Sequence, residues 1–353
     1  MYIYFSKNFK FKFSYNWNYF DPSLKKKEAI RNISFTFDKL YLMPAIIEVK
    51  DLTKQFKDVT AVNNLSFTVN AGDVYGFLGQ NGAGKSTTIR MLLTLLQPTT
   101  GSINIFNKNL LTNRKKILTQ IGAIIEKPDL YKYLTAWQNL SFFAKISGVK
   151  VSENKIMEQL EMVGLSERAH SKVKTFSQGM KQRLGIAVAL IHDPELIILD
   201  EPTNGLDPQG IADVRNLIIS LSKNFGKTVL VSSHLLTEIE LIANRILIID
   251  KGNKIVEGTS DELLDPAKTI VALNTLDNPS AKSKIAATQW GQYLQPSKNE
   301  TIILKFSKDR IPEFVNQLVQ MNIEVLSVTP RHSLEDYFLS LTTANQHVEP
   351  VTV

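Results

Sequence analysis

Gly79-Gln80-Asn81-Gly82-Ala83-Gly84-Lys85-Ser86 stands between a short apolar run, Val74-Tyr75-Gly76-Phe77-Leu78, and a helix-forming stretch that opens Thr87-Thr88-Ile89-Arg90-Met91-Leu92. The order reads strand, loop, helix. Glycines at that spacing let backbone N–H groups converge on phosphate oxygens at a helix N-terminus, whose dipole favours negative charge. On that reading Lys85 reaches the β- and γ-phosphates, and Ser86 places its hydroxyl on Mg²⁺. The helix is expected over residues 86–96, where Gln97-Pro98-Thr99-Thr100-Gly101 stops it.

Upstream, Ile46-Ile47-Glu48-Val49, Leu52-Thr53-Lys54-Gln55-Phe56, Ala61-Val62 and Leu65-Ser66-Phe67-Thr68-Val69 read as short strands with turn residues between them, an antiparallel lead-in sheet. Phe56 is either a core aromatic or a platform for a base. Downstream, Ile103-Asn104-Ile105-Phe106 and Ile121-Gly122-Ala123-Ile124-Ile125 are strand-like. Between Leu130 and Arg168 the spacing turns helical, with Leu140, Phe143, Ala144 and Ile146 on one face and Ile156, Leu160 and Val163 on the next. A separate helical lobe is expected there.

A second constellation is Thr175-Phe176-Ser177-Gln178-Gly179-Met180-Lys181-Gln182-Arg183, leading into a helix. Ser177 reads as its N-cap, and Gly179 permits close backbone approach at a second anion-favouring helix start. Leu196-Ile197-Ile198-Leu199 then delivers Asp200 and Glu201 to the carboxyl end of a buried strand, the edge at which α/β sheets bind ligands. Asp200 would hold Mg²⁺ through water and Glu201 would polarise an attacking water. Asn204-Gly205-Leu206-Asp207-Pro208 turns the chain, and Val229-Leu230-Val231-Ser232-Ser233-His234 is another buried strand, ending in a histidine at the same sheet edge.

These residues, in this order, resemble the ATP-binding cassette (ABC) ATPases over residues 46–265. Walker A is Gly79 to Ser86, the signature peptide Phe176 to Met180, Walker B Leu196 to Asp200, the D-loop Gly205 to Asp207, and the switch histidine His234. The resemblance implies an α/β P-loop NTPase core with an antiparallel lead-in sheet and a helical lobe. It implies ATP contacts from Phe56, Gly79, Asn81, Gly82, Gly84, Lys85, Ser86 and Thr87, and from Ser177, Gly179 and Asp207 of a second copy closing over the γ-phosphate. Mg²⁺ would lie near Ser86, Asp200 and Glu126, and Glu201, His234 and Lys85 would carry the chemistry. Two motifs depart from the family pattern. The signature is Phe-Ser-Gln-Gly-Met rather than Leu-Ser-Gly-Gly-Gln, and Glu126 stands where a glutamine is usual, adding charge near ATP. Both variants resemble the ABC-2-type export ATPases of the bacitracin and lantibiotic resistance branch. A homodimer on separate membrane permease subunits, at the cytoplasmic face of the membrane, is implied, with a permease helix received near residues 126–139.

Three domains are expected: 1–42, 43–265 and 266–353. The last alternates strand-like pieces (residues 269–273, 301–306 and 323–326) with helical ones (311–321 and 333–341), a small C-terminal α+β appendage ending in a loose tail from residue 342. Residues 1–42 interleave aromatics with Lys and Asn, and hold eight basic against three acidic residues, so most of the net charge of +7 lies there. Basic residues between aromatics could stack on single-stranded nucleic acid or sit at a membrane interface. The favoured expectation is sequence read in front of a start at Met43, a disordered or interfacial arm being the remainder. Apolar runs are strand-length, far below the roughly 18–20 residues a spanning helix needs. No cysteine is present, which excludes disulfides and thiolate metal sites. The rival function is a soluble ABC ATPase acting on ribosomes or DNA, which usually carries two cassettes or a long coiled coil; no nucleic-acid partner is expected. A module that binds nucleotide without catalysis is disfavoured by Glu201 and His234.

Overall fold

A computed structural model describes residues 44–263, 269–297 and 301–331. The expected segment 1–42, the boundary at residues 265 and 266, the helix at 333–341 and the tail lie outside the described residues. The lead-in pieces join into two long strands, β1 (Ala45–Phe56) and β2 (Val59–Asn70), paired antiparallel. Register shifts interrupt the alternation around Asp51 and Asn64, both left-handed at φ 49° and 47°. Such bulges explain why the sequence reads as fragments where the backbone is continuous.

The centre is β3 (Val74–Leu78), buried throughout. Strand β4 (Thr100–Ile105) pairs with β1, and β5 (Lys108–Asn109) with β4, completing a four-stranded sheet in the order β2-β1-β4-β5. Strands β6 (Ile121–Ile124), β7 (Leu196–Asp200), β8 (Thr228–Ser233), β9 (Arg245–Asp250) and β10 (Asn253–Thr259) join β3 in the order β10-β9-β3-β8-β7-β6. All neighbours are parallel except β9 and β10. Parallel strands covered on both faces must be apolar on both, hence the unbroken hydrophobic runs of β7 and β8. Alternate residues serve two cores: Ile197 and Leu199 face one, Leu196 and Ile198 the other.

Helix α1 (Lys85–Leu92) follows β3 and ends four residues short of expectation, because Thr94 takes a left-handed φ of 57° and breaks the run. After α2 (Arg114–Leu118), the lobe is α3 (Ala136–Ile146), started by a Thr135–Gln138 capping box, and α4 (Glu153–Met162), capped by Ser152. Leu140 and Ala144 are buried as expected, but Ile146 is exposed and Phe143 packs on Tyr131 and Phe142 instead of entering the core. Ile146 is the last residue of α3, before its C-cap Ser147. Helix α5 (Gln178–Leu190) carries mostly buried residues, and α6 (Pro208–Lys223) and α7 (Leu236–Glu240) lead into and out of β8.

The last residues described, 270–297 and 301–331, hold β11 (Ile270–Thr275), helix Asn278–Ala286, β12 (Leu294–Gln295), β13 (Ile302–Lys305), helix Ile311–Gln320 and β14 (Val325–Arg331). The order β12-β13-β11-β14, antiparallel throughout, makes the α+β appendage a split β-α-β of the ferredoxin-like kind. Its separate core centres on Trp290, whose ring meets Phe306 and Phe314 at 4.9 Å. Among the described residues no helix is long and apolar enough to cross a membrane.

Candidate active site

Register places the site. Leu78 at the end of β3 pairs with Ser233 of β8, and Asp200 at the end of β7 pairs with Ser232, so three adjacent strands discharge their chains at one edge. From β3 the loop passes Gly79, where an added Cβ would lie 2.5 Å from the Ile249 carbonyl oxygen. At Gly84 φ is 107° and a Cβ would come within 2.6 Å of the Ala61 carbonyl oxygen. Both positions therefore exclude side chains. Asn81 and Gly82 are exposed at the loop's crest, and Ser86 and Thr87 are half-buried in the first turn of α1.

Lys85 is buried, and its ammonium donates to the carbonyls of Gly79 at 2.7 Å and Gln80 at 3.2 Å. It also lies 3.1 Å from Oε1 of Glu201. The other Glu201 oxygen, Oε2, is 2.7 Å from Nδ1 of His234. A carboxylate only accepts, so this contact is a hydrogen bond when Nδ1 carries the proton. The three residues expected to carry the chemistry thus meet on one carboxylate.

Asp200 is almost fully buried. Its Oδ1 accepts from the Ser232 hydroxyl at 2.5 Å, while Oδ2 has no partner among the described residues. A buried anionic oxygen without a donor is costly. One such oxygen suits Mg²⁺, which takes few protein ligands and completes its shell with phosphates and water. Among the described residues no group of three His, Cys, Asp or Glu side chains forms a metal cage.

Other expected residues lie elsewhere. Phe56, at the end of β1, is 44% exposed, with the Lys54 ammonium over its ring at 4.9 Å from the centre. Ser177 caps α5 by accepting the Met180 N–H, and Asp207 caps α6 by accepting the Gly210 N–H at 3.0 Å. These two helix starts touch, since a Cβ on Gly179 would sit 3.4 Å from Gly210 Cα. No hydrogen bond or ion pair joins this second cluster to Lys85 or Glu201 among the described residues. Glu126, for which the resemblance implies a place near the metal, forms a 2.6 Å ion pair with Arg90 and is 67% exposed. Its positive φ of 60° marks the loop that leaves β6.

Ser232 was not among the expected residues. Its only sequence signal is a pair of hydroxyls closing an otherwise apolar strand. The registers of β7 and β8, which bring it between Asp200 and Glu201, are not readable from spacing.

A family model described as ABC transporter matches residues 62–204. The bacitracin transport ATP-binding protein BcrA of Bacillus licheniformis is 44% identical over 301 residues, covering 85% of this chain and 98% of the relative. The lantibiotic transport ATP-binding protein SrtF of Streptococcus pyogenes is 44% identical over 216 residues, covering 61% of this chain and 92% of the relative. The dimeric post-hydrolysis structure of the ATP-binding cassette MJ0796, bound to ADP and Pi, has a TM-score of 0.54 at 26% identity and covers 61% of this chain and 98% of that one.

Proposed function

This chain belongs to the ABC transporter family as an ATP-binding subunit, an ATPase coupled to transport, and from that premise we propose that it drives export of peptide antibiotics through separate membrane permease subunits. The observation that carries the catalytic reading is the meeting of Lys85, Glu201 and His234 at the carboxyl edge of the sheet. The N-terminus of α1, the loop N–H groups and the Lys85 ammonium bind the phosphates. Phe56 stacks on the base. Glu201 accepts the proton of the attacking water, and His234 fixes the carboxylate's orientation through its second oxygen. Ser86 and Asp200 would hold Mg²⁺, which would supply positive charge against the charge developing on the phosphates.

One chain carries one phosphate loop and one signature peptide, so a second copy supplies Ser177 and Gly179 across a head-to-tail interface. The dimeric solved relative supports that arrangement. Closure on ATP and reopening after hydrolysis would gate the permease at the cytoplasmic face of the membrane, with residues 126–139 receiving it. The names of the bacitracin and lantibiotic relatives support the cargo class.

Glu201→Gln tests the chemistry. It keeps the shape and removes the base, so ATP affinity stays near that of the parent and turnover falls by about 10²-fold or more, measured as phosphate release. Turnover at the parent rate would remove Glu201 from its role.

A further inference from the structure

A hydroxyl outside every recognised motif joins the two acidic residues. Ser232 is fully buried in β8. Its Oγ donates to Asp200 Oδ1 at 2.5 Å and accepts the backbone N–H of Glu201 at 2.9 Å. Glu201 sits in the left-handed region, at φ 50°, a conformation that a residue with a side chain keeps only where its surroundings hold it. The remaining oxygen of Asp200 is buried and has no partner among the described residues.

We propose that Ser232 is a positioning residue for ATP hydrolysis. By occupying Oδ1 it selects Oδ2 as the oxygen of Asp200 left for the metal. By holding the Glu201 N–H it maintains the backbone turn that carries the Glu201 carboxylate to Lys85 and His234. A serine oxygen donates one hydrogen bond while accepting another, so one side chain performs both tasks. Alanine can perform neither. Ser233, the next residue and equally buried, is a natural control: its hydroxyl accepts from the nearby Leu235 N–H at 2.9 Å and touches neither acid. The inference rests on the roles given above to Asp200 and Glu201.

The test uses the full chain with Ser232→Ala, Ser232→Thr and Ser233→Ala. A fluorescent ATP analogue is titrated in EDTA and across a Mg²⁺ series, beside kcat, KM and melting temperature. Ser232→Ala should bind the analogue in EDTA as the parent does, need about tenfold more Mg²⁺ to reach half of the metal-dependent gain in binding, and lose about tenfold or more in kcat with KM little changed. Ser232→Thr keeps the hydroxyl and should recover both quantities, and Ser233→Ala should match the parent. A parental Mg²⁺ midpoint and kcat in Ser232→Ala would overturn the inference. So would equal weakening of binding with and without Mg²⁺ accompanied by a lower melting temperature, which denotes packing alone. Should the parent itself show no Mg²⁺-dependent step, the metal role of Asp200 fails, a result distinct from both.

Discussion

Lys85 illustrates how a single residue prepares the site. Its ammonium is held by two loop carbonyls and the Glu201 carboxylate. Burial of that charge is tolerable because each donor direction meets an acceptor. Phe56, at the end of β1, is half-exposed. Stacking on a base is worth enough that Phe56→Ala should weaken ATP binding about tenfold, whereas Phe56→Tyr should retain it, as measured by equilibrium titration. Equal binding by the alanine variant would assign the ring to the sheet alone. Lys85, Asp200 and Glu201 were legible because their chemistry requires particular residue types at fixed offsets from a loop or a strand end. Ser232 was not, because its contacts with Asp200 and Glu201 come from cross-strand register. The ion pair of Glu126 was not legible for a related reason: its partner, Arg90, lies on α1, 36 positions away in the chain.

At the scale of elements, the parallel strands were the most legible, since burial on both faces forces continuous apolar runs. The lead-in strands were read as fragments because bulges at Asp51 and Asn64 reset the alternation. The helix Asn278–Ala286 was unread, as it buries only Ala281 and Ile285 and shows little periodicity. A polar network ties the far end of the central sheet: the Tyr75 hydroxyl donates to Glu257 at 2.8 Å, joining β3 to β10, and Lys254 approaches the same carboxylate at 3.1 Å. Burial, followed by the neighbouring Glu257 charge, raises the Tyr75 pKa well above 10.0. The native phenol then keeps its proton where the unfolded chain loses it. The contribution is full below pH 10 and is lost as pH rises above it. Tyr75→Phe should cost about 1–2 kcal/mol at neutral pH, and its deficit against the parent should shrink above about pH 10, measured by urea unfolding. A deficit independent of pH would contradict this account of the network.

For the whole molecule, the two cores on either face of the six-stranded sheet explain how a P-loop, a lead-in sheet and a helical lobe are held as one cassette. The cassette was legible from its motifs. The ferredoxin-like order of the C-terminal unit was not, because which strands neighbour one another is decided by packing around Trp290 and not by their sequence spacing. The central claim is that each working site is shared by two copies, Lys85 and Glu201 from one and Ser177 from the other. Mixing two inactive variants tests it most directly. Lys85→Ala and Ser177→Arg should each abolish ATP turnover alone, as every site in either homodimer is damaged. Co-expressed and purified as a mixed dimer through two different affinity tags, they rebuild one intact site from the Lys85 of one chain and the Ser177 of the other, and phosphate release should return. A mixed dimer as inactive as its parents, or a Ser177→Arg homodimer that turns over normally, would contradict the shared site.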